Sequence, residues 1–230
     1  QLERTHTKGF ILEQYLNTIW FGNRSYGVQQ ASKGYFGHDV QGVTIAEAAL
    51  LEEEFAAFTG AKYCLAVASG GYALGCALRA LGIGPGDEVV ACSYGWHQTA
   101  HAILLAGATP DFAEIDYWSG CISPSAAAER IKPATKALIG NNCNGHPAAW
   151  KALRELAARR GIALIEDSTE AIGSRYLGQP VGSFGDLSVF DFSQPGALCC
   201  GEGGMVLTDD PHLATELRYL RAHRLSDRTS

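Results

Sequence analysis

Three places along the chain put ligand-holding or reactive side chains where a fold could use them. Ala68-Ser69-Gly70-Gly71-Tyr72-Ala73-Leu74 passes from a β-type run into a helical one through small residues. Such a passage bares backbone amides at a helix N-terminus, a ready anion site. A plain strand-to-helix turn has the same text, and a short glycine pair is weak evidence for more. Ile165-Glu166-Asp167 closes an apolar run with two acids. A fixed carboxylate favours the charged form of its partner, so Asp167 could hold a protonated ring nitrogen; the alternative is a helix N-cap. Trp96, just past the run that ends at Cys92, offers a face for stacking on a flat ligand. Burial in the core is the commoner use of a tryptophan. The seven cysteines include no CxxC spacing, and the seven histidines are scattered and read as solitary, so no metal site is expected.

The elements that must position these residues are strands alternating with helices. β-type runs fall at 63–68, 88–91, 109–115, 137–141, 162–165, 187–192 and 205–208, with helical stretches at 73–81, 99–106, 124–131 and 147–160. That alternation predicts an α/β fold with a mostly parallel sheet and flanking helices. Ligands bind such sheets at the carboxyl ends of the strands. The first 50 residues read differently. Apolar positions at Phe10, Ile11, Tyr15, Leu16, Ile19 and Trp20 have helical spacing, and a second helical stretch runs to about Tyr35. Thr44-Ile-Ala-Glu47 is a capping box whose helix should reach about Phe58. An all-helical segment, residues 1–50, therefore precedes an α/β segment, residues 51–230.

Composition excludes several classes. With 230 residues, 47% hydrophobic and 18% charged, this is ordinary globular material large enough to build a core without disulfides. A net charge of −6 and a pI of about 5.6 oppose non-specific nucleic-acid binding. No apolar run approaches the roughly 20 residues that span a bilayer. Cysteines set inside apolar runs read as reduced core thiols, which points to a cytoplasmic location. The chain opens on Gln-Leu-Glu-Arg in the middle of a helical pattern and reads as a piece of something longer.

Four stretches, "LEEEFAAFTGAKYCLAVASG", "ALRALGIGPGDEVV", "LIEDSTEAIGSRYLGQPVGSFGDLSVF" and "GEGGMVLTDD", together resemble the pyridoxal-phosphate-dependent sugar aminotransferases of the DegT/StrS type, from about Leu51 to Arg224. The resemblance implies a large domain of the PLP-transferase type I fold and a cofactor, pyridoxal 5'-phosphate or pyridoxamine 5'-phosphate. It implies that Ser69, Gly70 and Gly71 cradle the phosphate, although threonine is usual where Gly71 stands. By the same resemblance Trp96 stacks on the pyridine ring and Asp167 pairs with the ring nitrogen. Glu170 stands where glutamine or histidine more often meets the ring hydroxyl. Substrates would be a nucleotide-linked keto-sugar and an amino donor, and the assembly a homodimer. The family continues past "LRYLRAHR" into a small domain, which by this resemblance is expected to be missing here.

Two departures bear on chemistry. The family segment that supplies a phosphate-binding serine and the Schiff-base lysine corresponds here to Phe190-Asp191-Phe192-Ser193-Gln194-Pro195-Gly196. Asp191 takes the serine's place and Gly196 the lysine's; the last lysine of the chain is Lys151. Transamination needs an amine that forms an imine with the cofactor and then shuttles a proton, and glycine does neither. A carboxylate ~4 Å from a phosphate charge costs about 4 kcal/mol at an effective dielectric near 20, roughly a thousandfold in affinity. The expectation is therefore an aminotransferase-like protein impaired or inactive in transamination, holding any cofactor non-covalently. Alternatives are a non-catalytic scaffold or partner subunit, or a lysine-independent pyridoxamine-phosphate sugar dehydratase using His97 or another group.

Residues 1–51, with Lys8-Gly-Phe-Ile-Leu-Glu13-Gln-Tyr-Leu-Asn17 and Tyr26-Gly27-Val28 through Tyr35-Phe36-Gly37, resemble the later motifs of the peptidoglycan transglycosylase domain of class A penicillin-binding proteins. That family's two catalytic glutamates belong to motifs upstream of Gln1. Glu13 lies in a structural helix motif and reads as a solvated or salt-bridged acid. A glycosyltransferase fragment is accordingly the weakest functional reading.

Overall fold

The computed structural model describes residues 45–193 and 202–221. The helices expected before Thr44, the side chains of the Thr44–Glu47 capping box, Glu13, Gly196, Cys199 and Cys200 lie outside the described residues. Helix α1 (Ile45–Thr59) closes at Gly60, where φ is +81°. It leads to β1 (Tyr63–Val67), α2 (Gly70–Ala80), β2 (Glu88–Cys92), α3 (His97–Leu105) and β3 (Thr109–Ala113). Then come α4 (Pro124–Arg130), β4 (Thr135–Asn141), α5 (Trp150–Arg160), β5 (Ala163–Asp167) and a 3-10 turn, Thr169–Ala171. A short hairpin of β6 (Arg175–Tyr176) and β7 (Gln179–Pro180) precedes β8 (Leu187–Asp191), β9 (Gly204–Thr208) and α6 (Pro211–Arg221).

Seven strands form one sheet in the order β1-β9-β8-β5-β4-β2-β3. Only β9 runs against its neighbours; β8, β5, β4, β2 and β3 are parallel. Strands covered on both faces must be apolar on both, and every residue of β8 and β9 is buried. One core layer packs α2, α3 and Leu217 of α6 on the face that carries Val89, Ile139 and Ile165. The other packs α4 and α5 on Val90, Leu138 and Leu164. A third, smaller cluster seats Phe55 of α1 edge-on against Phe190 and Phe192, with ring centroids 5.0 and 5.5 Å apart. The expected α/β architecture is thus borne out.

The differences from the sequence reading have physical causes. The helix expected from Pro147 begins at Trp150, because the Ala148 amide donates instead to the buried Asn142 side chain at 2.8 Å. Beyond β3, Ile115 makes only an isolated bridge to Ile122. The β6–β7 hairpin turns on Leu177 and Gly178 with φ of +50° and +84°, and its two-residue strands carry no periodicity to read. Helix α6 had a legible start: Asp210 Oδ1 accepts from the His212 amide at 2.7 Å and from Leu213 at 3.4 Å, with Pro211 opening the helix.

Candidate functional site

The sheet order reverses its chain direction between β2 and β4: the connection from β2 goes outward to β3, that from β4 goes the other way to β5. Their crossover helices, α3 and α5, lie on opposite faces. Loops leaving such neighbouring strands part and open a crevice at their carboxyl ends. A cavity of about 390 Å³ sits there, within the range of small-molecule sites. It is walled by Cys92–His97 after β2, Asn141–Cys143 after β4, and Asp167, Thr169 and Glu170 after β5.

Alternation along β5 sends its two acids to opposite faces. Glu166 is fully buried. Its carboxylate accepts from the Gly182 and Phe184 amides (both 2.7 Å), Ser168 Oγ (2.7 Å), Asn142 Nδ2 (3.0 Å) and Ser188 Oγ (3.1 Å). Asn142 Oδ1 in turn accepts from Trp150 Nε1 at 2.9 Å. Glu166 is therefore a structural strut that ties the ends of β4, β5 and β8 together. Asp167 points the other way, into the cavity. Burial pushes its carboxyl above the ordinary carboxylate range; the Thr169 hydrogen bonds pull down, and Glu170 and Asp191 push up. Its Oδ1 accepts from the Thr169 amide at 3.2 Å, a local turn contact, while the N-cap position of the 3-10 turn is held by Ser168 rather than Asp167.

Trp96 is 43% exposed and lines the cavity, so it is not a core residue. Glu170 fixes it: Oε1 accepts from Trp96 Nε1 at 2.8 Å, while Oε2 accepts from the Asn144 amide at 2.9 Å. Cys143 borders the same acid, and burial followed by the Glu170 charge pushes its thiol up to about 12. Cys92, at the cavity wall, is pushed up to about 11, chiefly by burial. Neither is a thiolate nucleophile near neutral pH.

The Ser69–Gly71 passage is a cap in which Ser69 Oγ accepts from the Tyr72 amide at 3.2 Å. Asp191 lies directly on Gly70. A methyl placed on Gly70 would be 2.3 Å from Asp191 Cβ, 2.6 Å from Cγ and 2.7 Å from Oδ2. Only glycine allows that approach. Asp191 is 7% exposed and is held by the Ser193 amide, which donates to its Oδ1 at 2.8 Å. The space left among Gly70, Gly71, Gln98, Thr169 and Asp191 is about 10 Å³, room for one water at most.

The structure thus brings Trp96, Asp167 and Glu170 around one cavity, and Gly70, Gly71 and Asp191 around a small recess that shares Trp96 and Asp167 with it; Ser69 lines neither and serves as the helix cap. Sequence reasoning missed four site residues. Asn141 accepts from the Ile122 amide (3.1 Å) and donates to the Tyr94 carbonyl (3.3 Å). Thr169 Oγ1 accepts from the Asp191 amide at 3.1 Å, Gln98 lies beside Gly71, and Asn142 anchors Glu166. The signal for the asparagines was the same as for Asp167: polar residues closing an apolar strand. The histidine reading is corrected: His97 and His101 stand four apart on α3 with ring centroids 5.2 Å apart. Among the described residues no three metal-ligating side chains come together.

The mostly parallel sheet with a crevice at its strand ends matches solved aminotransferases of fold type I, which gives the class of the domain. The chain belongs to the DegT/DnrJ/EryC1/StrS aminotransferase family, whose profile matches residues 41–230. The spore coat polysaccharide biosynthesis protein SpsC of Bacillus subtilis is 41% identical over 175 residues, 76% of this chain and 45% of that protein. The solved structure of S. venezuelae DesV in complex with a ketimine intermediate is 41% identical, with a TM-score of 0.74 over 76% of this chain and 48% of that one. DesI in the presence of its TDP-sugar product is 34% identical, with a TM-score of 0.71 over 75% and 43%. The chain therefore spans about half the length of the relatives it matches. A transglycosylase profile matches residues 1–57 and overlaps the first across 41–57, where α1 lies.

Proteins of this family bind pyridoxal phosphate or pyridoxamine phosphate. The residues present fit that group only in part. The cavity beside Trp96 and above Asp167 accommodates a flat ring, whereas Asp191 fills the recess at the α2 N-terminus by both volume and charge. Among the described residues the phosphate end does not fit.

Proposed function

We propose that the chain is a sugar-aminotransferase-type domain that holds a flat heteroaromatic ring between Trp96 and Asp167 but transfers no amino group. The carrying observation is an acid-floored cavity with no lysine among its described lining residues, joined to glycine at position 196 of a chain whose last lysine is Lys151. Transamination needs a positioned amine to form and release an imine. In this reading Asp167 favours a protonated ring nitrogen, Trp96 supplies a stacking face held by Glu170, and Thr169 and Asn141 fix the loops around them. Residues 51–230 act as the aminotransferase-like part and 1–50 as a helical extension. The protein is cytoplasmic and homodimeric, and a nucleotide-linked keto-sugar is the substrate class to offer it.

The test is a tryptophan-fluorescence titration with pyridoxamine and with pyridoxamine phosphate, beside absorbance spectra with the two aldehydes. Saturable quenching by at least one amine, lost in Asp167→Asn, is expected, with no imine band and no amino transfer to a TDP-keto-sugar. An imine band in the unmutated protein, or amino transfer, would overturn the reading.

A further inference from the structure

We propose that the cavity takes a planar, protonated nitrogen heteroaromatic that carries no phosphate ester, and that Asp191 is the residue that turns the phosphate away. This rests on the ring-holding reading above and adds to it a ligand class and a selectivity residue.

Volume speaks first. The ring-sized cavity and the recess share Trp96, Thr99, Asp167 and Thr169, so a ligand seated on Trp96 aims one edge at the α2 N-terminus. Only about 10 Å³ remains there, and a tetrahedral phosphate is far larger than one water. The recess does not open by a side-chain swing at Gly70, which has no side chain. Asp191 is itself fixed, with its own amide donating to Thr169 Oγ1 at 3.1 Å and its Oδ1 accepting from Ser193.

Charge gives the same answer independently. The described residues around the two spaces include three acids, Asp167, Glu170 and Asp191, and neither lysine nor arginine; His97 is the one basic side chain among them. The N-terminal amides of the eleven-residue α2 would favour an anion. That end, however, already carries the Asp191 carboxylate against Gly70. An incoming phosphate dianion meets like charge at short range, whereas a cationic ring and an ammonium meet three acids and an aromatic face, with His97 as the one basic neighbour among the described residues. Gln98 adds a third observation. In the amide orientation of this structure its Oε1 is buried without a hydrogen-bond partner, an acceptor that a ligand N–H or O–H would satisfy and a phosphate oxygen would not.

Pyridoxamine and pyridoxamine phosphate are the paired probes, since they differ only in the ester. Fluorescence titration and calorimetry of the full chain are expected to show pyridoxamine binding at least about tenfold more tightly than its phosphate, up to the roughly thousandfold of one unrelieved like-charge contact at about 4 Å. Asp191→Ser, which removes both bulk and charge, should close or invert that preference. Asp191→Asn keeps the bulk and should recover only part of it. Tighter binding of the phosphate by the unmutated protein overturns this proposal and leaves the ring-holding reading standing. Binding of neither probe overturns both. Equal binding of the two by the unmutated protein also sinks the selectivity argument, whatever the variants do.

Discussion

Asp167 and Glu166 are adjacent carboxylates with opposite dependencies, and the contrast yields two tests. Glu166 faces five donors and no acceptor, two of them backbone amides that cannot turn away. Glu166→Gln keeps the shape but points an NH₂ group at hydrogen-bond donors. Charged hydrogen bonds contribute about 1.5–3 kcal/mol each and unpaired buried groups cost as much, so a loss of about 3 kcal/mol in urea unfolding is expected. A loss below about 1 kcal/mol would mean that the network is dispensable. Asp167 is the reverse case. Burial, aided by Glu170 and Asp191, raises its carboxyl above the ordinary 3.8, so the folded chain holds that proton more tightly than the unfolded one. The stabilisation this gives is complete below 3.8 and disappears as pH rises through the folded value. Above that, ionised Asp167 costs stability that a cationic ligand would return. Asp167→Asn, which keeps the acceptor for the Thr169 amide, should therefore be the more stable protein at pH 7, with an advantage that shrinks toward pH 4. Urea midpoints measured across that range decide it; a variant less stable at neutral pH contradicts the sign.

At the scale of elements, the contact that shapes the site is a junction between α2 and β8. Gly70→Ala would set a methyl 2.3 Å from Asp191 Cβ. Overpacking of this kind costs about 1–3 kcal/mol, and a value near the top is expected because the nearest atom is the Asp191 Cβ, which no rotamer change moves away. In an Asp191→Gly background the same substitution meets open space and should cost well under half as much. A double-mutant cycle by urea denaturation reads the coupling directly; additive effects would show that the two residues do not touch. This junction also marks the limit of what the sequence discloses. The strands 187–191 and 204–208 were legible because Leu187, Val189 and Phe190, and Met205 to Leu207, give short β-type apolar stretches, and α1 because its helical pattern ends on Thr59-Gly60. Asp167 and Trp96 could be singled out as cavity residues because an acid or an aromatic just past a strand stands where such sheets bind ligands, although capping and core burial compete for the same text. The Gly70–Asp191 approach was not, since it joins residues far apart in the chain and no local pattern encodes it. Gln98 and Thr169 were missed for the same reason, being single polar residues in connections.

Across the whole molecule, buried thiols divide themselves among the core layers. Cys76 lies in the layer under α2 and α3, Cys121 and Cys143 in the layer under α4 and α5, and Cys64 in the cluster of α1, β1 and β9. Each is free and buried. Burial pushes Cys64 up to about 12, with Glu52 adding to the rise, and its Sγ sits 3.5 Å from the Met205 sulfur. At pH 8 a thiol with a value of about 12 is ionised in roughly one molecule in ten thousand, so alkylation in the native state is negligible and labelling reports opening. The two large layers share the central strands β2, β4 and β5, whose alternate residues feed both faces, so neither layer can open while the other stays closed. Among the described residues the third cluster has six buried members, and Cys64 enters it from β1, which has a single neighbour in the sheet. Iodoacetamide labelling in sub-denaturing urea, followed by peptide mass spectrometry, should therefore modify Cys76, Cys121 and Cys143 at one common rate, with Cys64 faster. A common rate for all four would show a single cooperative unit, and a lag between Cys76 and Cys143 would show that the two faces of the sheet come apart separately.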